Sequence, residues 1–232
     1  MITEPLTETL TLPRPQGGTL NAYLAKTDSA GTFPGVVVIH EIFGLNENIR
    51  DIARRFARAG YVALAVDLFS AGSRVACMTR IFHGILVRPL TNGIVGELRA
   101  ALDVLRDRPE VQSKRVGAIG FCMGGSYALQ LACVDDNLRA ASVFYGQNPR
   151  PLDAVAGSCP IVGSYPEKDF TAGAARQLEA QLEAHQVAHD FKIYPDARHS
   201  FFNDTGPAYN AEAAADAWKR TLAFFEKHLQ QV

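Results

Sequence analysis

Apolar positions along the 232-residue chain recur with two periods, and the switches between them outline a strand–helix rhythm. Glu8–Leu12 and Leu20–Ala25 alternate in character, with Gly17-Gly18 available for a turn, and so predict an antiparallel pair at the start. Val36-Val37-Val38-Ile39 is instead a continuous apolar run, as expected of a strand buried on both faces. Ile49, Ile52, Ala53, Phe56 and Ala57 then come at helical spacing until Gly60 stops them. Tyr61–Val66, closed by Asp67, predicts the next strand. Val95–Arg106 predicts a helix with Leu98, Leu102 and Leu105 on one side, ended by Pro109. Val116–Ile119 reads as a strand and Gly124–Val134 as the helix after it. Ala140–Tyr145, Pro160–Gly163 and Asp190–Tyr194 are further strand candidates, with a helix over Ala172–His185 before the last. A closing helix, Ala208–Leu229, carries Trp218, Leu222, Phe225 and Leu229 as its buried stripe. Ser70–Gly93 is irregular and reads equally as one wall of a pocket or as a surface excursion.

Strands alternating with helices predict an α/β architecture: a mainly parallel central sheet with helices on both faces and an antiparallel N-terminal hairpin. Reactive loops then belong at the carboxyl ends of the strands. No repeat, low-complexity tract or linker interrupts residues 1–232, which predicts a single domain. A net charge of −1 gives no electrostatic basis for binding nucleic acid or an anionic membrane. No apolar segment is long enough to cross a bilayer, and Met1–Pro15 lacks a basic-then-apolar leader, so a cytoplasmic protein is expected. The four cysteines, Cys77, Cys122, Cys133 and Cys159, are widely spaced without a C-x-x-C pair, which fits neither a zinc site nor a disulfide framework. No metal or organic cofactor is expected. Oligomeric state is not legible.

Candidate chemistry concentrates at Gly120-Phe121-Cys122-Met123-Gly124-Gly125. A strand that ends, turns sharply and opens a helix leaves one side chain exposed at its tip, and the crowding calls for small residues two positions before and after. Gly120 and Gly124 supply them. The tip residue is Cys122, whose thiolate is a strong nucleophile if its pKa is controlled. The plainer reading, a Gly-rich turn around an inert buried cysteine, loses ground to the acid and the histidine found downstream. In this type of arrangement nucleophile, acid and base occur in that chain order. Asp169 lies just past the strand Pro160–Gly163, with Glu167 its nearest competitor. His199 lies between the final strand and the final helix, where the base belongs; His83, His185, His189 and His228 are less well placed. Asp169 would then fix the imidazole tautomer of His199 and stabilise its cation. An oxyanion needs two donors; the backbone N–H groups of Met123 and of Ile42, in the loop His40-Glu41-Ile42-Phe43-Gly44, are the candidates.

These motifs, with Glu167-Lys168-Asp169 and His199-Ser200-Phe201, resemble the dienelactone hydrolase family from about Pro34 to the terminal helix. The resemblance implies an α/β-hydrolase fold, a Cys122-His199-Asp169 triad and hydrolysis of an ester or lactone through an acyl-enzyme. It also implies that Glu41 contacts the resting thiol and receives its proton as substrate binds. At two positions where the family's best-studied kind carries substrate-binding arginines, this chain has Ala71 and the run Phe201-Phe202-Asn203-Asp204. Tyr145, Phe202, Arg74 and Arg80 are therefore the candidate substrate contacts, and an ester, lactone or thioester with an apolar body fits Phe202. Two alternatives remain open: a thioesterase or acyltransferase on the same triad, and a redox-sensing thiol protein with Cys77 as resolving cysteine.

Overall fold

The computed structural model describes residues 4–229, so the first three positions of the Met1–Pro15 segment lie outside it. Eight strands form one sheet: β1 (Leu6–Pro13), β2 (Thr19–Lys26), β3 (Phe33–Ile39), β4 (Val62–Asp67), β5 (Val111–Phe121), β6 (Ala140–Phe144), β7 (Ile161–Lys168) and β8 (His189–Arg198). Their spatial order is β1-β2-β4-β3-β5-β6-β7-β8. The β1–β2 and β2–β4 pairs are antiparallel and all others parallel. This is the α/β-hydrolase architecture.

The continuous apolar run in β3 is explained by its central place between β4 and β5. Val37 and Ile39 face one core layer, packed with α3 (Gly93–Arg106) and α4 (Met123–Val134). Val36 and Val38 face the other, packed with α1 (Glu47–Arg58) and α6 (Ala211–Leu229). Asn46 caps α1 by accepting from the Ile49 N–H at 3.1 Å, and Gly60 comes just after its end at φ 87°. On α6, Phe225 and Leu229 are fully buried but Trp218 and Leu222 only partly so; Asn210 accepts from the Ala213 N–H, so the helix starts at Ala211 and not at Ala208.

Three departures from the sequence pattern matter for function. First, β7 and β8 run past the expected Gly163 and Tyr194 ends and stay paired to their tips, with Tyr165 opposite Ile193 and Lys168 opposite Arg198. The next residue on each strand is Asp169 and His199, so this register delivers the two side by side. Second, β5 starts at Val111, well before Val116. Third, the irregular segment contains a helix, α2 (Arg74–Leu86). Ser73 caps it by accepting from the Ala76 N–H at 3.3 Å, and Cys77, Ile81, Gly84 and Ile85 form its buried side. α5 (Thr171–Ala184) and a short 3-10 turn at Leu152–Gly157 complete the fold.

Candidate active site

Between β5 and α4 the chain turns at Cys122, whose φ of 56° and ψ of −119° lie in a sparsely populated region for a side-chain-bearing residue. The surroundings hold it there. A Cβ on Gly120 would run into the Gly124 carbonyl, and one on Gly124 into the Ile39 carbonyl of the neighbouring strand. The Cys122 N–H donates to the Phe144 carbonyl at 3.1 Å, and the Cys122 carbonyl accepts from the Ser126 N–H at 3.1 Å. With both its backbone groups bonded, Cys122 is fixed at the tip, and its sulfur faces a cavity of about 340 Å3.

The cavity lies over the carboxyl ends of the strands. Phe82, Ile85 and Leu86 of α2 form one wall, and Met123 and Phe170 contribute further apolar surface. Its polar side consists of Cys122, Ser126, Tyr145, Gln147 and His199. A cleft of about 390 Å3 along β8 and α6 is slightly larger, but its Lys192 and Tyr194 are both bonded to Asp216 at 2.8 Å and it contains no nucleophile.

His199 Nδ1 donates to Asp169 Oδ2 at 2.7 Å, which leaves Nε2 as the acceptor of the neutral ring. The same carboxylate oxygen accepts from Thr171 Oγ1 at 2.6 Å, so the acid is itself held in place. The imidazole is packed between Phe170, stacked at 5.3 Å, and Tyr145, at 4.8 Å between ring centres. Glu167, the competing acid, is exposed on β7. Among the other histidines, His185 bonds Asp153, His189 donates to the Val187 carbonyl, His228 packs on Phe224 and His83 is exposed.

Glu41 is buried beneath the site. Its Oε1 accepts from Ser200 Oγ at 2.8 Å and its Oε2 from Asn203 Nδ2 at 3.1 Å, so the loop that carries His199 also anchors this carboxylate. Burial pushes the Cys122 thiol up to about 12, with the negative charges of Glu41 and Asp169 adding to the effect. The Met123 N–H, bonded to the sulfur, acts in the opposite direction. In the unliganded protein the sulfur therefore keeps its proton. Tyr145, at φ 41°, is also buried beside Glu41; burial and that carboxylate raise its phenol well above the ordinary value, and the hydroxyl closes no well-formed hydrogen bond.

His40 is a structural residue that sequence reasoning passed over. Its Nδ1 donates to the Glu41 carbonyl at 2.6 Å and its Nε2 accepts from the Leu68 N–H at 3.0 Å. Full burial lowers its pKa, in keeping with the neutral ring that this bonding requires. His40 thereby fixes the loop that presents Ile42. Arg74, expected as a substrate contact, instead donates to the Ile42 carbonyl at 2.7 Å and lies over the Phe69 ring. Arg80 is likewise taken up elsewhere, in an ion pair with buried Glu97 that Arg14 shares at 2.7 Å. Neither guanidinium lines the cavity.

Phe202 needs the same correction. Ser200, at φ 63°, turns the chain inward, and Phe202 packs in the core against Phe144 at 4.8 Å and Phe121 at 5.2 Å, beneath the Arg55 guanidinium. Of the two readings open for Ser70–Gly93, the cavity takes the pocket wall, through Phe82, Ile85 and Leu86, while Phe170 is an apolar wall residue that the sequence did not signal. Cys77 is buried, with its thiol toward the Phe69 carbonyl at 3.5 Å, and is not part of the cavity lining that a resolving cysteine would have to reach.

With this geometry in place, comparison with known proteins is decisive on one point. The sequence profile described as Dienelactone hydrolase family matches residues 20–229. The chain belongs to the dienelactone hydrolase family. A protein of Saccharolobus solfataricus named "Putative carboxymethylenebutenolidase" is 34% identical over 91% of this chain and 95% of its own. One from Bradyrhizobium, named "Probable 2-oxo-3-(5-oxofuran-2-ylidene)propanoate lactonase", is 32% identical over 90% of this chain and 89% of its own. Among solved structures, that of a "Putative Dienelactone Hydrolase" from Klebsiella pneumoniae superposes with a TM-score of 0.85 at 28% identity, covering 97% of this chain and all of the other. Family membership carries the fold directly. Among the described residues, no helix is long and apolar enough to cross a membrane.

Proposed function

We propose that this family member is a carboxylic ester or lactone hydrolase that works through a Cys122-His199-Asp169 triad and an acyl-enzyme. The observation that carries the reading is the Asp169–His199 hydrogen bond, with the His199 ring and Cys122 opening onto one cavity. The relatives' names, "Putative carboxymethylenebutenolidase" and "Probable 2-oxo-3-(5-oxofuran-2-ylidene)propanoate lactonase", support the bond type, although both specify acidic lactones.

The order of steps is dictated by the charges. In the free protein burial and the Glu41 carboxylate keep the proton on sulfur, which protects the thiol from oxidation. When substrate enters and displaces water, the proton passes to His199 Nε2, and Asp169 stabilises the resulting imidazolium. The thiolate forms a C–S bond to the carbonyl carbon as the carbonyl π pair moves onto oxygen. Backbone N–H groups of Met123 and Ile42 bind that oxyanion. Collapse re-forms the carbonyl and breaks the C–O bond, and the departing alkoxide takes the proton from His199. Water then attacks the thioester, with His199 accepting its proton, and the thiolate leaves to be reprotonated. Glu41 sets through its charge when the sulfur ionises; the thiol proton goes to His199 and not, as the family resemblance implies, to Glu41.

A panel of lactones, esters and thioesters assayed against wild type and Cys122→Ala tests this reading. The variant is expected to lose on the order of 1,000-fold or more in kcat/KM on every hydrolysed substrate. Full activity without the sulfur would end the proposal.

A further inference from the structure

The cavity that receives the substrate has the wrong lining for a substrate anion. Its apolar residues come from three separate elements, and among the described residues that line it the sole group able to carry positive charge is His199. The nearest arginines on α2 are committed elsewhere, Arg74 to the Ile42 carbonyl and Arg80 to Glu97. Two carboxylates, Glu41 and Asp169, act on the Cys122 sulfur from below, and their field opposes any second negative charge brought to it. At the mouth, Phe82, Leu86 and Phe170 line the cavity while remaining 41%, 59% and 73% exposed. Large apolar side chains left in water around an opening have area to gain when an apolar ligand covers them.

We infer that the substrates are uncharged esters or lactones with an apolar body, held by Phe82, Ile85, Leu86 and Phe170, and that compounds carrying a free carboxylate are rejected. This rests on the hydrolase reading above. It goes further by excluding acidic lactones and by assigning the selectivity to the α2 wall and Phe170, not to the Phe202 position. A carboxylate placed there would lose its water and find no cation, whereas a methylene chain would gain from burial.

Two matched pairs test the charge rule on each side of the scissile bond. 4-Nitrophenyl hexanoate is compared with mono-4-nitrophenyl adipate, and methyl 4-acetoxybenzoate with 4-acetoxybenzoate. In each pair kcat/KM should favour the neutral member by about 100-fold or more. Equal rates within either pair, or preference for the anion, would overturn the inference while leaving the hydrolase intact. Leu86→Arg, at a well-exposed position, should narrow the hexanoate-to-adipate ratio about threefold or more; an unmoved ratio would remove the assignment to this mouth. Alkylation gives a readout that does not depend on turnover. Normalised to free cysteine, Cys122 should react with iodoacetamide about tenfold or more faster than with iodoacetate. That preference without any ester hydrolysis would sink the hydrolase reading and keep the charge rule; its absence would sink the charge rule.

Discussion

Two regions meet over the cavity, the Cys122 turn and the α2 wall, and they are held by different forces. At the turn the constraint is backbone against backbone: an added atom on Gly120 meets the Gly124 carbonyl at the start of α4, and one on Gly124 meets the Ile39 carbonyl of β3, so neither can be relieved without disturbing the helix or the sheet. On α2 the constraint is side-chain packing and a few polar ties. Tyr127 donates to the Ile81 carbonyl at 2.7 Å, and Arg80 pairs with Glu97, while Phe82 and Leu86 face outward with room around them. The first arrangement tolerates almost no change and suits a reacting atom that must be placed to a fraction of an ångström. The second can be remodelled residue by residue, which suits a surface that selects among substrates.

The most severe challenge to that contrast is Gly124→Ala. It should destabilise the protein by about 3 kcal/mol or more in chemical denaturation, because the clash is with the Ile39 carbonyl and not with a flexible side chain. A variant of wild-type stability would mean that the turn is not rigid. Glu41→Gln should have an intermediate effect, and one of opposite sign on two readouts. Ester turnover is expected to fall about 10- to 100-fold, while resting Cys122 is alkylated faster because one of the two carboxylates opposing the thiolate is gone. The pH dependence of wild-type alkylation fixes the sign. The thiol's folded pKa, about 12, lies above its ordinary value of 9.0, so the buried thiol contributes stability below pH 9 and loses it as pH rises towards 12. Labelling of the free protein should accordingly stay slow through pH 9 and climb towards 12, with the Glu41→Gln profile displaced to lower pH. At the small end is Leu86→Ala on the wall. It should change stability by less than about 0.5 kcal/mol and kcat/KM for hexanoate esters by only about two- to fivefold. A large loss of stability would show that α2 is as tightly determined as the turn.

The same contrast explains what could be read from the sequence. The turn was legible because its demands are local: small residues two positions either side of one nucleophilic side chain. The central strands were legible because burial on both faces leaves uninterrupted apolar runs, as in Val36–Ile39. Asp169 and His199 could be placed at neighbouring strand ends from chain order alone, although the register that aligns them, Lys168 opposite Arg198, could not. α2 was not legible, for a functional reason. Its core-facing residues Cys77, Ile81 and Ile85 have helical spacing, but Phe82, Leu86 and the adjoining Val87 add apolar residues facing the cavity and solvent, and the two-faced pattern conceals the helix. Arginine roles were misread because a guanidinium's partner is chosen by tertiary structure; nothing near Arg80 in sequence announces Glu97 or Arg14. Phe202 was misplaced because the inward turn at Ser200 depends on the Ser200–Glu41 contact between distant loops.

The proposed mechanism stands on covalent chemistry at one sulfur, and rapid quenching during turnover addresses that chemistry without intermediaries. Wild-type protein mixed with excess 4-nitrophenyl hexanoate, quenched in acid within the first turnover and digested for mass spectrometry, should carry a hexanoyl group on the peptide containing Cys122. That adduct should decay as substrate is exhausted, and in His199→Ala, where no base takes the thiol proton, it should form far more slowly. Active turnover with unmodified Cys122 at every quench time, or an acyl group on a different residue, would contradict the mechanism.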